Sequence, residues 1–430
     1  MTVATRWLQE LETPTAEFFT VFAERVAEPD GLRDAVRDAV KTLVPRIDWE
    51  AYLPHVPHGI LGLRAVFRLR PLLEEASFLR ALAVQLHMAA HEGRRAKAAF
   101  EQVASAKGSG SWRNLEAFIA ARKPGLAYAE AQGFELPGPD DFQRLARLVE
   151  PDMANVGHKA VFARHLADLC EQLERPKATG RRLFGLAAWL AATPEDLFWA
   201  KRAGKRFGDA IPPIGLEATP MDGMALEPIV RDVCDLGLVS LLDSLTARLR
   251  SGLDAGNLRA GLVFAAAEKQ LDARRDLEGK TAWNFVYLAT LNHPEAPAAT
   301  WCQAAALVNL FPTEEAEARL QPHKVHAPST EALLNAVLDG EAAPAMGQAQ
   351  ALLDAGQGEE ALKMLAEAAS RNDPAFNHAH QVLAVAAAAD LLPRLPLCAG
   401  EAMLTALAKS LANSQGSGDL GRLADGALER

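Results

Sequence analysis

The chain has 430 residues, with 45 Lys and Arg against 55 Asp and Glu, and a formal net charge of -10. Apolar residues make up 49 % and charged ones 23 %, which excludes a disordered chain, a collagen and a disulfide-dense mini-protein. The acidic balance argues against a nucleic-acid binder that works by bulk charge, and the length suits two or three domains.

The opening stretch, MTVATRWLQELETPTAEFF, has no basic head followed by an apolar run, so no secretory leader is expected. Residues 31–44 carry a helical period, with Leu32, Val36, Val40 and Leu43 on one stripe. Residues 238–249 and 258–271 behave alike. Helix starts are marked at Thr193-Pro194-Glu195-Asp196, Pro312-Thr313-Glu314-Glu315 and Pro328-Ser329-Thr330-Glu331, each with a capping hydroxyl and early acids. Residues 348–354 and 359–370 read as a helical hairpin turning at Gly356, without a second copy at a fixed period. Runs of β-branched or aromatic residues with period two are scarce. The expected fold is all-α, an array of antiparallel helical hairpins around a central cavity. The Pro/Gly-rich stretch 208–223 suggests an N-terminal lobe over 1–207 and a C-terminal lobe over 224–413, with 414–430 a frayed tail; one continuous domain fits the same pattern.

Cys170, Cys234, Cys302 and Cys398 lie far apart without a CxxC pair, on what read as apolar helix faces. Reduced, buried thiols in the cytoplasm are the expectation. The longest uncharged stretch, 296–313, is too short and too interrupted for a membrane span.

Several motifs fail on context. Gly279-Lys280-Thr281 resembles the end of a phosphate loop, but the first glycine of that motif would be Arg274 and no strand precedes it. Gly108-Ser109-Gly110 is a flexible loop rather than a dinucleotide fingerprint, and no Gly-x-Ser-x-Gly elbow occurs. Arg175, Lys177, Arg181 and Arg182, with Lys201, Arg202, Lys205 and Arg206, read as a solvated rim, because no aromatic residues are interleaved.

Ten of the 11 histidines fall in close pairs: His55/His58, His87/His91, His158/His165, His323/His326 and His378/His380. His87 and His91 would share a helix face and could meet one metal ion. Met88 stands where a zincin carries its catalytic Glu, so protease chemistry is not supported. No histidine has a Glu three residues earlier, which removes the usual di-iron pattern. A mononuclear Fe, Zn or Cu site with His58, His87, His91 and His378 as candidate ligands fits imidazole chemistry. The same spacing on a helix followed by Glu92, Arg94 and Arg95 also fits a wet surface. His58 and His378 each stand at the mouth of an apolar helix, where they could be ligands, acid–base groups or caps.

Three ordered blocks resemble the questin oxidase-like family. They are 54–92 (PHVPHGILGLRAVF…HMAAHE), 283–307 (WNFVYLATLNHPEAPAATWCQAAAL) and 373–392 (DPAFNHAHQVLAVAAAADLL). The resemblance implies an all-helical oxygenase or oxidase of Baeyer–Villiger type, acting on an aromatic or quinone-like small molecule, in some members with NADPH. The family's site residues carry over to His58, His293 and His378. Tyr287 stands where the second block has an upstream histidine, and Gln381 where a lysine follows the late histidine. The candidate catalytic set is therefore His58, His293 and His378 with Tyr287; in such a pocket Tyr287, Trp283 and Trp301 would supply aromatic walls and Arg64 an anion partner, while ordinary core packing is the competing reading of the aromatics, of Trp301 above all. No nucleic-acid or membrane partner is expected. The competing reading is a non-catalytic helical-repeat interaction protein with dispersed histidines.

Overall fold

The computed structural model describes residues 1–46, 58–93, 107–193, 223–273, 279–291, 298–310, 319–374, 377–416 and 420–429. Among them are 21 α-helices and no strand, so the chain is all-α. No helix among the described residues is long and apolar enough to cross a membrane. The chain divides into two compact units. One comprises Met1–Phe67, Glu75–Leu197 and Asp419–Arg430; the other comprises Arg68–Glu74 and Phe198–Gly418.

The first unit holds α1 (Val3–Glu12), α2 (Phe18–Val26), α3 (Gly31–Leu43), most of α4 (Gly59–Leu69) and α5 (Glu75–Gly93). It continues with α6 (Trp112–Ala120), α7 (Pro124–Ala131), α8 (Pro139–Val149), α9 (His158–Gln172) and α10 (Lys177–Ala191). The stripe expected on α3 buries Val36, Val40 and Leu43 together with Ala35 and Ala39, while Leu32 stays half-exposed. Trp7 seeds one core, packed by Phe18 and Phe22 at 5.2 and 5.7 Å, with its indole N–H donating to the Ala35 carbonyl at 3.1 Å. A second aromatic cluster gathers Trp112, Phe134 and Phe142 around Phe184. The stretch expected to fray instead forms α21 (Leu420–Leu428), which packs on α2 and α5 and is tied by Asp425 to Arg80 at 2.9 Å. Its Gly421, Ala424 and Ala427 make a small-residue stripe that seats it.

The second unit holds α11 (Gly223–Asp235), α12 (Leu238–Arg250), α13 (Ala255–Asp272), α14 (Trp283–Thr290) and α15 (Ala298–Leu310). Then come α16 (Thr330–Leu338), α17 (Ala342–Asp354), α18 (Gly358–Arg371), α19 (His380–Leu391) and α20 (Leu397–Asn413). The hairpin at Gly356 is the α17–α18 turn, with that glycine at φ 74°. Ser329 caps α16 by accepting from the Ala332 N–H at 3.1 Å, as its sequence signal implied. The signal at 312–315 falls outside the described residues, as do the residues after Thr193, whose own hydroxyl donates back to the Leu190 carbonyl at 2.7 Å. The hub is α20, packed by α13, α16, α17 and α18 and buried along nearly its whole length, where Ala399, Gly400, Ala406, Ala408 and Ala412 admit close neighbours.

The thiols depart from expectation at one place. Cys170 and Cys302 are buried and Cys398 is half-buried, but Cys234 is exposed, because α11 turns Ile229, Asp232 and Val233 inward. Burial pushes the Cys302 thiol up to about 12.

Candidate functional site

The sharpest polar feature of the first unit is a pair of buried histidines. His58 immediately precedes α4 and His158 is the first residue of α9. Their Nε2 atoms lie 3.0 Å apart, with the rings nearly perpendicular at 84°. Each is only 6 % exposed. At this separation one ring donates an N–H and the other accepts it. The same two nitrogens could both reach a metal ion at ~2.0–2.1 Å, and imidazole suits Fe, Zn or Cu.

The backbone at His58 is held from both sides. Glu92, buried at the end of α5, accepts from the His58 N–H at 3.0 Å and the Gly59 N–H at 2.9 Å. A carboxylate thereby satisfies orphan donors at the positive end of α4. The Gln85 amide donates to the His58 and Gly59 carbonyls at 3.3 and 3.0 Å. Gly59 permits this approach, since a Cβ there would lie 2.5 Å from the Ala89 Cα.

His158 is placed by a different device. Val156 and Gly157 are both left-handed, at φ 50° and 84°, and turn the chain sharply into α9. A β-branched residue in that region is strained, and such strain concentrates at functional sites. The next residue, Lys159, is buried and donates from Nζ to Asp152 at 2.6 Å and to the Thr193 carbonyl at 2.9 Å, beyond the end of α10.

The same device recurs in the second unit. Asn377-His378-Ala379-His380-Gln381 repeats the pattern Asn155-Val156-Gly157-His158-Lys159. His378 and Ala379 are left-handed, at φ 52° and 60°, and His380 opens α19. Gln381 donates to the Leu411 carbonyl at 3.1 Å and the Ser414 hydroxyl at 2.9 Å, at the end of α20. In both units the residue after the buried histidine therefore ties down the end of the following helix. Both of those helices, α10 and α20, start after a proline, in Pro176-Lys177-Ala178-Thr179-Gly180 and Pro396-Leu397-Cys398-Ala399-Gly400.

His58 is buried and paired. His293 lies outside the described residues. His378 is exposed on its turn, and the buried member of that pair is His380. Tyr287 is fully buried on α14 and Trp301 fully buried on α15, where its indole N–H has no hydrogen-bond partner among the described residues. His87 and His91 do meet on α5, with ring centroids 4.5 Å apart, but His87 is stacked on Phe19 and His91 is exposed. No group of three potential ligands that includes either occurs among the described residues. Arg64 pairs with Asp168 through two hydrogen bonds of 3.0 and 2.9 Å. The cations of the first basic stretch are engaged: Arg175 with Glu171, Lys177 with Glu135, Arg181 with the Phe134 carbonyl and Arg182 with the Tyr128 hydroxyl. The second stretch lies outside the described residues. Sequence reading missed His158 and His380 as the inward histidines. The signal that could have found them is the recurrent Asn-x-(Gly/Ala)-His before an apolar helix.

His165 lies two turns along α9 from His158, is buried, and its Nδ1 has no hydrogen-bond partner among the described residues. Burial, with the Arg64 charge as a second cause, holds its basicity well below the ordinary 6.5. The folded state keeps this ring neutral while the unfolded chain takes up a proton below about 6.5. Its contribution to stability is thus complete above that pH and is lost as pH falls toward the lowered value, by up to about 1.4 kcal/mol per pH unit. Urea unfolding of the wild type and His165→Leu between pH 7.5 and 5 should show the difference between them shifting in the variant's favour on acidification. Parallel pH dependences would contradict it.

No family model matches the chain, and neither does any curated protein or solved structure.

Proposed function

We propose that the chain is an oxidoreductase acting on an aromatic or quinone-like small molecule, with His58 and His158 as its working imidazoles. The observation that carries this reading is the 3.0 Å approach of two buried Nε2 atoms at helix starts held by Glu92 and by a strained turn. Burying two imidazoles against each other costs desolvation that an apolar pair would avoid, and a scaffold protein has no use for it. A neutral pair can take the proton of a phenol and leave an electron-rich phenolate, or furnish two nitrogen ligands to a metal. In the reaction class that the resemblance implies, one atom of O2 enters between a ring carbonyl carbon and its neighbour. The other leaves as water, formed with the hydride of NADPH and one proton.

The test is O2 uptake with 1-hydroxyanthraquinone and NADPH, alongside the Fe, Zn and Cu content of the purified protein. His58→Gln and His158→Gln should each lower uptake by about 100-fold or more, a typical loss for an acid–base group. His326→Gln, at an exposed position, should leave it unchanged. Uptake that survives the double variant, or a wild type that takes up none, overturns the assignment.

A further inference from the structure

His87 and His91 stand one turn apart on the same face of α5, near its end. Their ring centroids lie 4.5 Å apart, with the ring planes at 68°. His87 is held from α2, where Phe19 stacks on it at 5.3 Å and Phe18 packs edge to face at 5.1 Å. His91 is exposed. One imidazole is thus fixed in place and the other is open to solvent.

The separation selects a coordination geometry. An ion ~2.0–2.1 Å from one nitrogen of each ring would lie ~3.2 Å from each ring centre. Centres 4.5 Å apart then subtend about 90° at that ion. This is the angle between adjacent ligands in a tetragonal site, the geometry of Cu(II) and Ni(II), whereas the tetrahedral angle of zinc would ask for ~5.2 Å. The local field also favours a cation. His91 lies in the last turn of α5, at the negative end of the helix, and the Glu92 carboxylate follows it in the chain. At an exposed position, water completes the coordination without a third side chain.

We infer that His87 and His91 form a surface site for a divalent copper or nickel ion, which staples the last turns of α5. Helix ends fray, and an ion bound at positions i and i+4 ties this one closed. Glu92 is the next residue, and its oxygens accept the His58 and Gly59 amides. The ion therefore steadies the carboxylate that holds His58 while touching neither member of the buried pair. The site stands on the two rings of α5 and is independent of the chemistry proposed for His58 and His158.

The experiment is a calorimetric titration of the full, chelator-stripped chain with Cu2+, read beside its electron paramagnetic resonance spectrum. One equivalent should show the hyperfine pattern of two imidazole nitrogens. His91→Gln should weaken that equivalent about 100-fold or more, since even the outer partners of a metal ligand are worth about 10–100-fold. Its thermal midpoint without metal should match the wild type, because the residue is exposed. Copper should raise the midpoint of the wild type and leave that of His91→Gln unmoved. Zn2+ should bind more weakly than Cu2+, by geometry and by the ordinary affinity order of these ions. His58→Gln should retain the equivalent, which separates this ion from any metal at the buried pair. No copper binding, binding that survives in His91→Gln, or an equivalent lost in His58→Gln overturns the inference.

Discussion

Replacing Lys409 with methionine is expected to destabilise the second unit by about 3 kcal/mol or more, since three buried carbonyls lose their donor at roughly 1–3 kcal/mol each. Lys409 is buried on α20, and its ammonium donates to the carbonyls of Gln270, Leu271 and Ala273 at 3.0, 2.6 and 2.8 Å. Those oxygens terminate α13, where a cation also meets the negative end of the helix. Methionine fills a similar volume but leaves all three acceptors dry. Thermal unfolding followed by circular dichroism should show a midpoint lower by about 10 °C, given ~2–4 °C per kcal/mol for a unit of this size. Lys409→Arg should fall between the two, as it keeps the charge with a different reach. A loss below about 1 kcal/mol would sink the argument that this ammonium holds α13 and α20 together.

Glu92→Gln is expected to combine a loss of stability with a loss of function. Its two oxygens accept the His58 and Gly59 amides, and the neutral side chain would turn an NH2 toward one of those donors. Hydrogen bonds to a charged group contribute about 1.5–3 kcal/mol, so about 2 kcal/mol of stability should go. The larger effect is positional, because His58 follows its own backbone. O2 uptake should drop at least about tenfold, in line with small misplacements of catalytic groups. The His58 ring resonances should shift in the NMR spectrum while those of exposed His323 stay fixed. Unaltered His58 resonances would show that the carboxylate holds the helix without positioning the imidazole.

The helical character was legible because it is written locally. Residues 31–44 bury the stripe that their spacing predicts, and Ser329 caps the helix it precedes. His58 was legible for a similar reason: it stands directly before an apolar run. His158 and His380 were not, because the turns that aim them inward use Val156, His378 and Ala379 in a conformation that normally advertises itself through glycine. Nothing near His378 says that it faces solvent while His380 does not; that is decided by α14 and α19 packing from distant sequence. Gln381, a departure from the resembled family's lysine, is explained by its contacts. It reaches the end of α20 through hydrogen bonds alone, as Lys159 reaches the end of α10 with a charge. The thiols show the limit of reading faces by eye, since Cys234 lies beside an inward-facing residue yet points out.

The placement of α21 bears on the order in which the chain acquires its structure during synthesis. Multidomain chains usually complete their N-terminal unit first. Here the second unit has all its residues once Gly418 has been made, whereas the first still waits for Leu420–Leu428 and the Arg80–Asp425 contact. The faces of α2 and α5 that receive α21 therefore stay uncovered through the whole of the second unit's synthesis. The unit begun first is the one finished last, and the faces of α2 and α5 spend that interval as apolar surface open to a chaperone.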